Sequence, residues 1–176
     1  MREALLAAGA RQFARRGVAT VSVEEIIAEA DVSRATFYDI FSSKYKLLEE
    51  LLNPIFDIAI SAVRDQAPHP PLAALEGLIE IYLQLWTVHR EGLLLIPAVD
   101  SEAFRHLASR HAALNAAMLG LLTKAEHADL LRNGSAVYSL KVIARTAIPL
   151  LRVYDGHVGA ASLFRDAMKS LLVKGH

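Results

Sequence analysis

The chain has no cysteine among its 176 residues, which removes disulfide bridges, thiolate catalysis and cysteine-ligated zinc together. It has no net charge either, since 19 basic side chains stand against 19 acidic ones. The chain-wide basic field that announces nucleic-acid binding is therefore missing, and any DNA contact has to come from local placement of charge. The longest apolar run, Leu93 to Val99, falls far short of the roughly 20 residues that span a bilayer. No charged-then-apolar leader opens the sequence, so the expected location is the cytoplasm, with no membrane partner. Alternating runs of β-branched residues are also missing, which leaves little from which to build a sheet.

The common signatures of catalysis are absent as well: there is no Gly-x-Ser-x-Gly elbow, Walker loop, Gly-x-Gly-x-x-Gly or His-Glu-x-x-His. No enzymatic activity and no cofactor are expected. Glu102 and His106 stand one turn apart with His111 following, which leaves a metal site open, although a Glu/His pair on a helix surface is more often a solvated contact.

What the chain does have is apolar surface. It is 53% hydrophobic with a mean hydropathy of +0.30, more than one core requires, so part of that surface is expected to meet a partner. The apolar residues recur at helical spacing almost from end to end, and the expected fold is all-α. A first helix runs from about Arg2 to Arg16 and stops at Gly17. Ser22 and Glu25 form a capping box that opens a second helix, Ser33 caps a short third helix ending near Phe41, and a fourth starts near Lys44. Pro54 lies inside the fourth and is expected to kink it. After the linker Ala67-Pro68-His69-Pro70-Pro71 comes a long helix carrying Tyr82, Trp86 and His89. Beyond Pro97, Asp100 or Ser101 caps another, whose inner stripe includes Phe104, His111, Asn115 and Met118. Two helices, about Ser135 to Tyr154 and Gly159 to Val173, close the chain. The first of these is apolar over most of its circumference and should be buried on two sides.

Two short helices joined by a tight turn, the second opened by a hydroxyl cap, have the layout of a helix-turn-helix. Any three-helix cluster contains such a pair, so layout alone does not decide. The residues narrow it: Val21-Ser22-Val23-Glu24-Glu25-Ile26-Ile27, then Ala30-Asp31-Val32-Ser33-Arg34-Ala35-Thr36-Phe37-Tyr38-Asp39-Ile40-Phe41-Ser42-Ser43-Lys44-Tyr45-Lys46-Leu47-Leu48. This stretch resembles the signature of the TetR (tetracycline-repressor) family, and the resemblance covers about the first 48 residues. It implies a three-helix DNA-binding head at 1–46 and a helical effector-binding and dimerising domain at 47–176.

Arg34 and Ala35 stand on the first turn of the reading helix, where an arginine can donate bidentately to guanine and an alanine can meet a thymine methyl. Tyr38 is one turn beyond Arg34, and the resemblance implies that it too meets the DNA. Ser22, Ser33, Thr36 and Lys44 are candidates for phosphate. Two residues depart from the family pattern: Asp31 replaces the turn glycine, and Ile40 replaces a polar residue before Phe41. Asp39 adds a negative charge that either repels phosphate or accepts from a cytosine amino group. Residues 1–46 carry seven cations against six acids, a net of +1. So small an excess makes a two-fold dimer necessary, with half-sites about 34–36 Å apart.

The expected dimer seam is Val137, Leu140, Ala144, Ile148 and Leu151 paired with Phe164, Met168 and Leu171, the ordinary-core reading being the alternative. The resemblance also implies an effector pocket between about Lys44 and Leu122. Tyr82, Trp86, His89, His111, Asn115 and Met118 are its candidates, although aromatics at helical spacing are more often plain core. Such a lining suits a small apolar or aromatic effector, whose binding could move the helix that contains Pro54. The function expected is a dimeric repressor that binds a palindromic duplex and is released by such an effector. The alternative is an apolar-ligand carrier or interaction module whose head no longer binds DNA.

Overall fold

The computed structural model of the chain describes residues 1–175, and among these there are eight α-helices and no strand. They are α1 (Arg2–Arg16), α2 (Val23–Ala30), α3 (Arg34–Ile40), α4 (Lys44–Asp65), α5 (Pro71–Leu95), α6 (Ser101–His127), α7 (Ala136–Tyr154) and α8 (Ala160–Leu172), with a 3-10 turn at Ile96–Ala98 before α6. Leu131 and Val173 form one isolated antiparallel bridge.

Local chemistry sets the helix starts. The Ser22 hydroxyl accepts from the Glu25 amide at 3.2 Å while the Glu25 carboxylate accepts from the Ser22 amide at 2.8 Å, so two of the amides left over at the start of α2 are satisfied reciprocally. Ser33 accepts from the Thr36 amide at 3.0 Å to open α3, and Ser135 accepts from the Tyr138 amide to open α7. Asp100 does the same for α6, taking the amides of Glu102 and Ala103 on one carboxylate oxygen. α5 begins on Pro71, a position where a missing N–H costs nothing.

The Glu25 bonds carry a pH dependence. The Ser22 amide, followed by the Arg16 guanidinium, lowers the Glu25 carboxyl from 4.5 to about 2. A carboxyl whose folded value is depressed contributes stability above its unfolded value and loses it as pH falls. The head is therefore expected to lose stability between about pH 4.5 and pH 2. Thermal melts across that interval should show a shallower loss in Glu25→Gln, which has no carboxyl to protonate.

The chain divides into two compact units, Met1–Asp57 with His89–His111, and Ile58–Val88 with Ala112–His176. This division differs from the expected cut after residue 46, because α4, α5 and α6 are long enough to supply residues to both units. The first unit encloses Leu5, Phe13, Ile26, Phe37, Leu47 and Leu48, all completely buried. α1 lies close against α4 there: Gly9 is buried, and a Cβ added to it would collide with Leu47. The second unit is built around Leu75, Leu78, Ile79, Leu122, Phe164 and Met168. Arg165 ties α8 to Glu80 of α5 through two hydrogen bonds of 2.5 and 2.8 Å, and Lys169 reaches Glu76 at 2.6 Å.

The courses of α4 and α5 bear on what the sequence leads one to expect. α4 continues through Pro54 as one helix; the proline is on the exposed side, where water can serve the carbonyl it leaves without a donor. In α5, His89 leaves helical geometry (φ −126°, ψ 30°).

Candidate nucleic-acid interface

α2 and α3 form the helix-turn-helix. Val32 is half-buried and Phe37 completely buried, so α3 is anchored by its inner side and presents Arg34, Ala35, Tyr38 and Asp39 on its exposed side. The Tyr38 ring is 46% exposed and rests edge-on against Phe37, with ring centroids 5.3 Å apart at 83°. The Arg34 guanidinium lies 5.7 Å from the centre of the Tyr38 ring. The three expected base-reading residues are thus brought together on one outward surface.

The expected phosphate contacts fare differently. Ser22 and Ser33 are spent on capping, and the Ser33 and Thr36 hydroxyls are 2.8 Å apart and hydrogen-bonded to each other. Lys44 requires a correction. Its ammonium donates to the carbonyls of Val18, Ala19 and Val21 at 2.8, 3.1 and 2.8 Å. An ammonium has three protons and all are used, so this lysine fastens the loop between α1 and α2 and its side chain has no donor left for phosphate.

Five of the other six head cations are also paired: Arg2 with Glu50, Arg11 with Glu29 at 2.5 Å, Arg16 with Glu25, Arg34 with Glu24 at 2.9 Å and Lys46 with Glu49 at 2.7 Å. Exposed pairs of this kind contribute about 0–1 kcal/mol each. A pair with no further support opens at little cost when a polyanion competes.

Asp31 closes α2 in the left-handed region (φ 54°, ψ 48°), the conformation for which glycine is suited. Aspartate tolerates it better than most residues, but not without cost. Asp31→Gly should stabilise the head by about 0.5–1 kcal/mol and, by removing a negative charge beside the reading helix, tighten DNA binding. Chemical denaturation and duplex titration check the two effects separately.

The expected effector residues fall into both units. In the first, His89 marks the break in α5, and His111 sits edge-on to Phe104 (4.9 Å) and Phe56 (6.5 Å), with burial lowering its pKa. In the second, Met118 is buried and Asn115 half-buried, and burial pushes the Tyr82 hydroxyl up to about 12. Trp86 donates to the Asp155 carboxylate at 3.3 Å. It also lines a partly open cavity of about 160 Å³, together with Leu83, Thr87, Leu151, Tyr154 and Ala160. Of the six residues only Trp86 lines this cavity. Tyr154 and Asp155, at the end of α7, were not anticipated, because no local pattern joins them to Trp86 across 69 residues.

The left-open metal ligands are engaged separately. The His106 Nδ1 lies 3.1 Å from Glu49 Oε1, its ring stacks on Tyr45 at 4.7 Å, and His111 faces Phe104 and Phe56. No group of three or more possible ligands gathers among the described residues.

The expected dimer seam also needs correction. Val137 (51% exposed) and Leu171 (37%) lie outward with Ala144, and Leu140 and Ile148 are half-buried. Leu151, Phe164 and Met168 are instead core residues of the second unit, at most 4% exposed, with almost no area to bury against a partner. The outward apolar set on α7 and α8 gains Tyr138, Val153 and Leu163 in their place.

Residues 5–51 match the family model described as bacterial regulatory proteins, tetR family. Among curated proteins, none matches the chain in sequence. Solved structures are similar over almost the whole chain. The ketosteroid transcriptional regulator KstR2 of Mycobacterium tuberculosis is 20% identical with a TM-score of 0.77, over 98% of this chain and 95% of that one. The TetR family transcriptional regulator PfmR from Thermus thermophilus is 16% identical with a TM-score of 0.75, over 96% of each. SmeT, solved in complex with triclosan, is 18% identical with a TM-score of 0.68, over 99% of this chain and 92% of that one. At such identities the likeness is one of fold, whereas the head is matched as a family. Residues 5–51 are thus a head of the tetR family, and the chain shares the fold of these regulators over almost its whole length.

Proposed function

We propose that the chain is a cytoplasmic, dimeric repressor without enzymatic activity, which binds a two-fold symmetric operator and is released by a small, mostly apolar or aromatic effector. DNA reading is assigned to residues 1–46, and effector binding and dimerisation to 47–176. The observation that carries the reading is the outward cluster of Arg34, Ala35 and Tyr38 on a helix locked inward by Phe37. A head that had lost DNA binding would have no reason to hold an arginine and an aromatic ring together on its exposed side.

Dimerisation is supported by the apolar side chains that α7 and α8 leave outside: Val137, Tyr138, Ala144, Leu163 and Leu171. Two such helices from each protomer suit a four-helix seam. With a net charge of only +1 over residues 1–46, one protomer has little to offer phosphate, and two heads are needed for useful affinity. Among the described residues no helix is long and apolar enough to cross a membrane.

For the effector, the support is the Trp86 cavity. Its volume of about 160 Å³ leaves room for a ligand of about the size of benzene. SmeT, similar in fold, is seen with triclosan, an instance of the ligand class proposed. Release would follow if the effector favours a conformation in which the two heads are wrongly spaced, and α4, which runs from the head past Pro54, is the proposed transmitter.

The test is retention of the purified protein on duplex DNA as salt is raised, followed by a release screen with small aromatic compounds. Trp86, the one tryptophan of the chain, reports binding by its fluorescence. Steeply salt-dependent retention, reversed by a compound that also changes Trp86 emission, is the expected result. A protein that binds such compounds but is not retained on any duplex, even at low salt, is a carrier.

A further inference from the structure

The reading helix does not hold Arg34 by itself. Glu24, on the first turn of α2, ion-pairs with its Nη1 at 2.9 Å, and both side chains are largely exposed, 65% for the arginine and 57% for the glutamate. Tyr38 lies under the same guanidinium at 5.7 Å, and Tyr38 is itself propped on the buried Phe37. An arginine head is a planar fork with five donors. One nitrogen is held by Glu24 and the group rests near the Tyr38 ring, so two contacts restrain a side chain that stays largely exposed and keeps donors to spare.

A pair of donors along one edge is what the N7 and O6 acceptors of guanine require. An arginine without supports would spend much of its time on the nearest phosphate, a contact that carries no sequence information. Glu24 opposes that drift in two ways. It restrains the long side chain before DNA arrives, so less rotamer freedom is lost on binding, and its own negative charge makes the immediate surroundings unfavourable for phosphate.

We propose that Glu24 is the positioning residue that makes Arg34 selective for a G·C pair, trading some general affinity for base discrimination. The proposal rests on Arg34 being a base-reading side chain, and the test separates the two. The experiment uses the full-length protein and a duplex enriched by it from a random pool. Binding is measured against every single base-pair replacement for wild type, Glu24→Gln, Arg34→Ala and the double variant. Both positions are exposed, and circular dichroism checks that each variant keeps its helix content.

Arg34→Ala is expected to lose the guanine preference at one base pair of each half-site by about five-fold or more. Glu24→Gln is expected to lose about two- to five-fold at that same base pair, while binding generic duplexes at least as tightly as wild type. In the Arg34→Ala background, Glu24→Gln should change nothing further there. If Glu24→Gln tightens binding to all duplexes by one common factor and keeps the full guanine preference, Glu24 is only a charge that repels phosphate, and the proposal is overturned. If Arg34→Ala flattens no base pair, the base-reading role of Arg34 falls, and the role given to Glu24 with it.

Discussion

Phe37→Ala should lower the stability of the head by about 3–5 kcal/mol, the usual cost of emptying a phenylalanine site in a packed core. Phe37 is completely buried, supports the edge of Tyr38 and lies 5.9 Å from the Phe41 ring. Proteins of ordinary stability have only about 5–15 kcal/mol in hand, so much of the margin goes. In a chain of this length that corresponds to a fall in melting temperature of about 6–20 °C. The damage is not confined to stability. α3 is seven residues long, too short to persist without tertiary packing, and the outward aim of Arg34 and Tyr38 depends on its inner side being held. Duplex binding should therefore weaken even at temperatures where the rest of the chain remains folded. Melting followed by circular dichroism, with duplex titration well below the midpoint, checks both parts.

Ala144→Glu should break the dimer without unfolding the protomer. Ala144 is exposed on α7, between outward Val137 and half-buried Ile148, so the new carboxylate meets water in a single chain. In a two-fold seam the same substitution buries two like charges, each offset only in part by Lys141 one turn earlier. An uncompensated buried charge costs about 3–5 kcal/mol, and about half of that weakens association by about ten-fold or more. Operator affinity should fall with it, because two linked heads become one. Sedimentation equilibrium on the variant is expected to show monomers with unchanged helix content. A variant that remains dimeric and binds DNA normally would place the seam away from this part of α7.

The helix starts of the head and the inner and outer sides of α3 were legible in the sequence, because their signals are local. A capping box needs only Ser22 and Glu25 three positions apart, and α1 and α2 end where Gly17 and Asp31 adopt positive φ. The burial of Phe37 and the exposure of Arg34 and Tyr38 follow from helical spacing in the same way. What escaped depends on residues distant in the chain. Nothing near Lys44 foretells that three carbonyls 23 to 26 residues earlier take its protons. The acids that neutralise Arg2 and Arg11 are on other helices, 48 and 18 residues away.

The closing helices show a second limit. α7 has apolar residues on both sides, and periodicity does not say which side faces its own protomer. Leu151 therefore went to the expected seam, and so did Phe164 and Met168 on α8, although all three belong to the core. Pro54 lies within a continuous α4, whereas α5 departs from helical geometry at His89, a residue type with no such tendency.

The most direct test of a two-headed DNA reader is selection of bound duplexes from a randomised pool by the purified protein at moderate salt. The account predicts enrichment of an inverted repeat whose half-site centres lie about one helical turn, or a small multiple of it, apart. A pool that remains unenriched at moderate and at low salt, with the protein folded and dimeric, would contradict it.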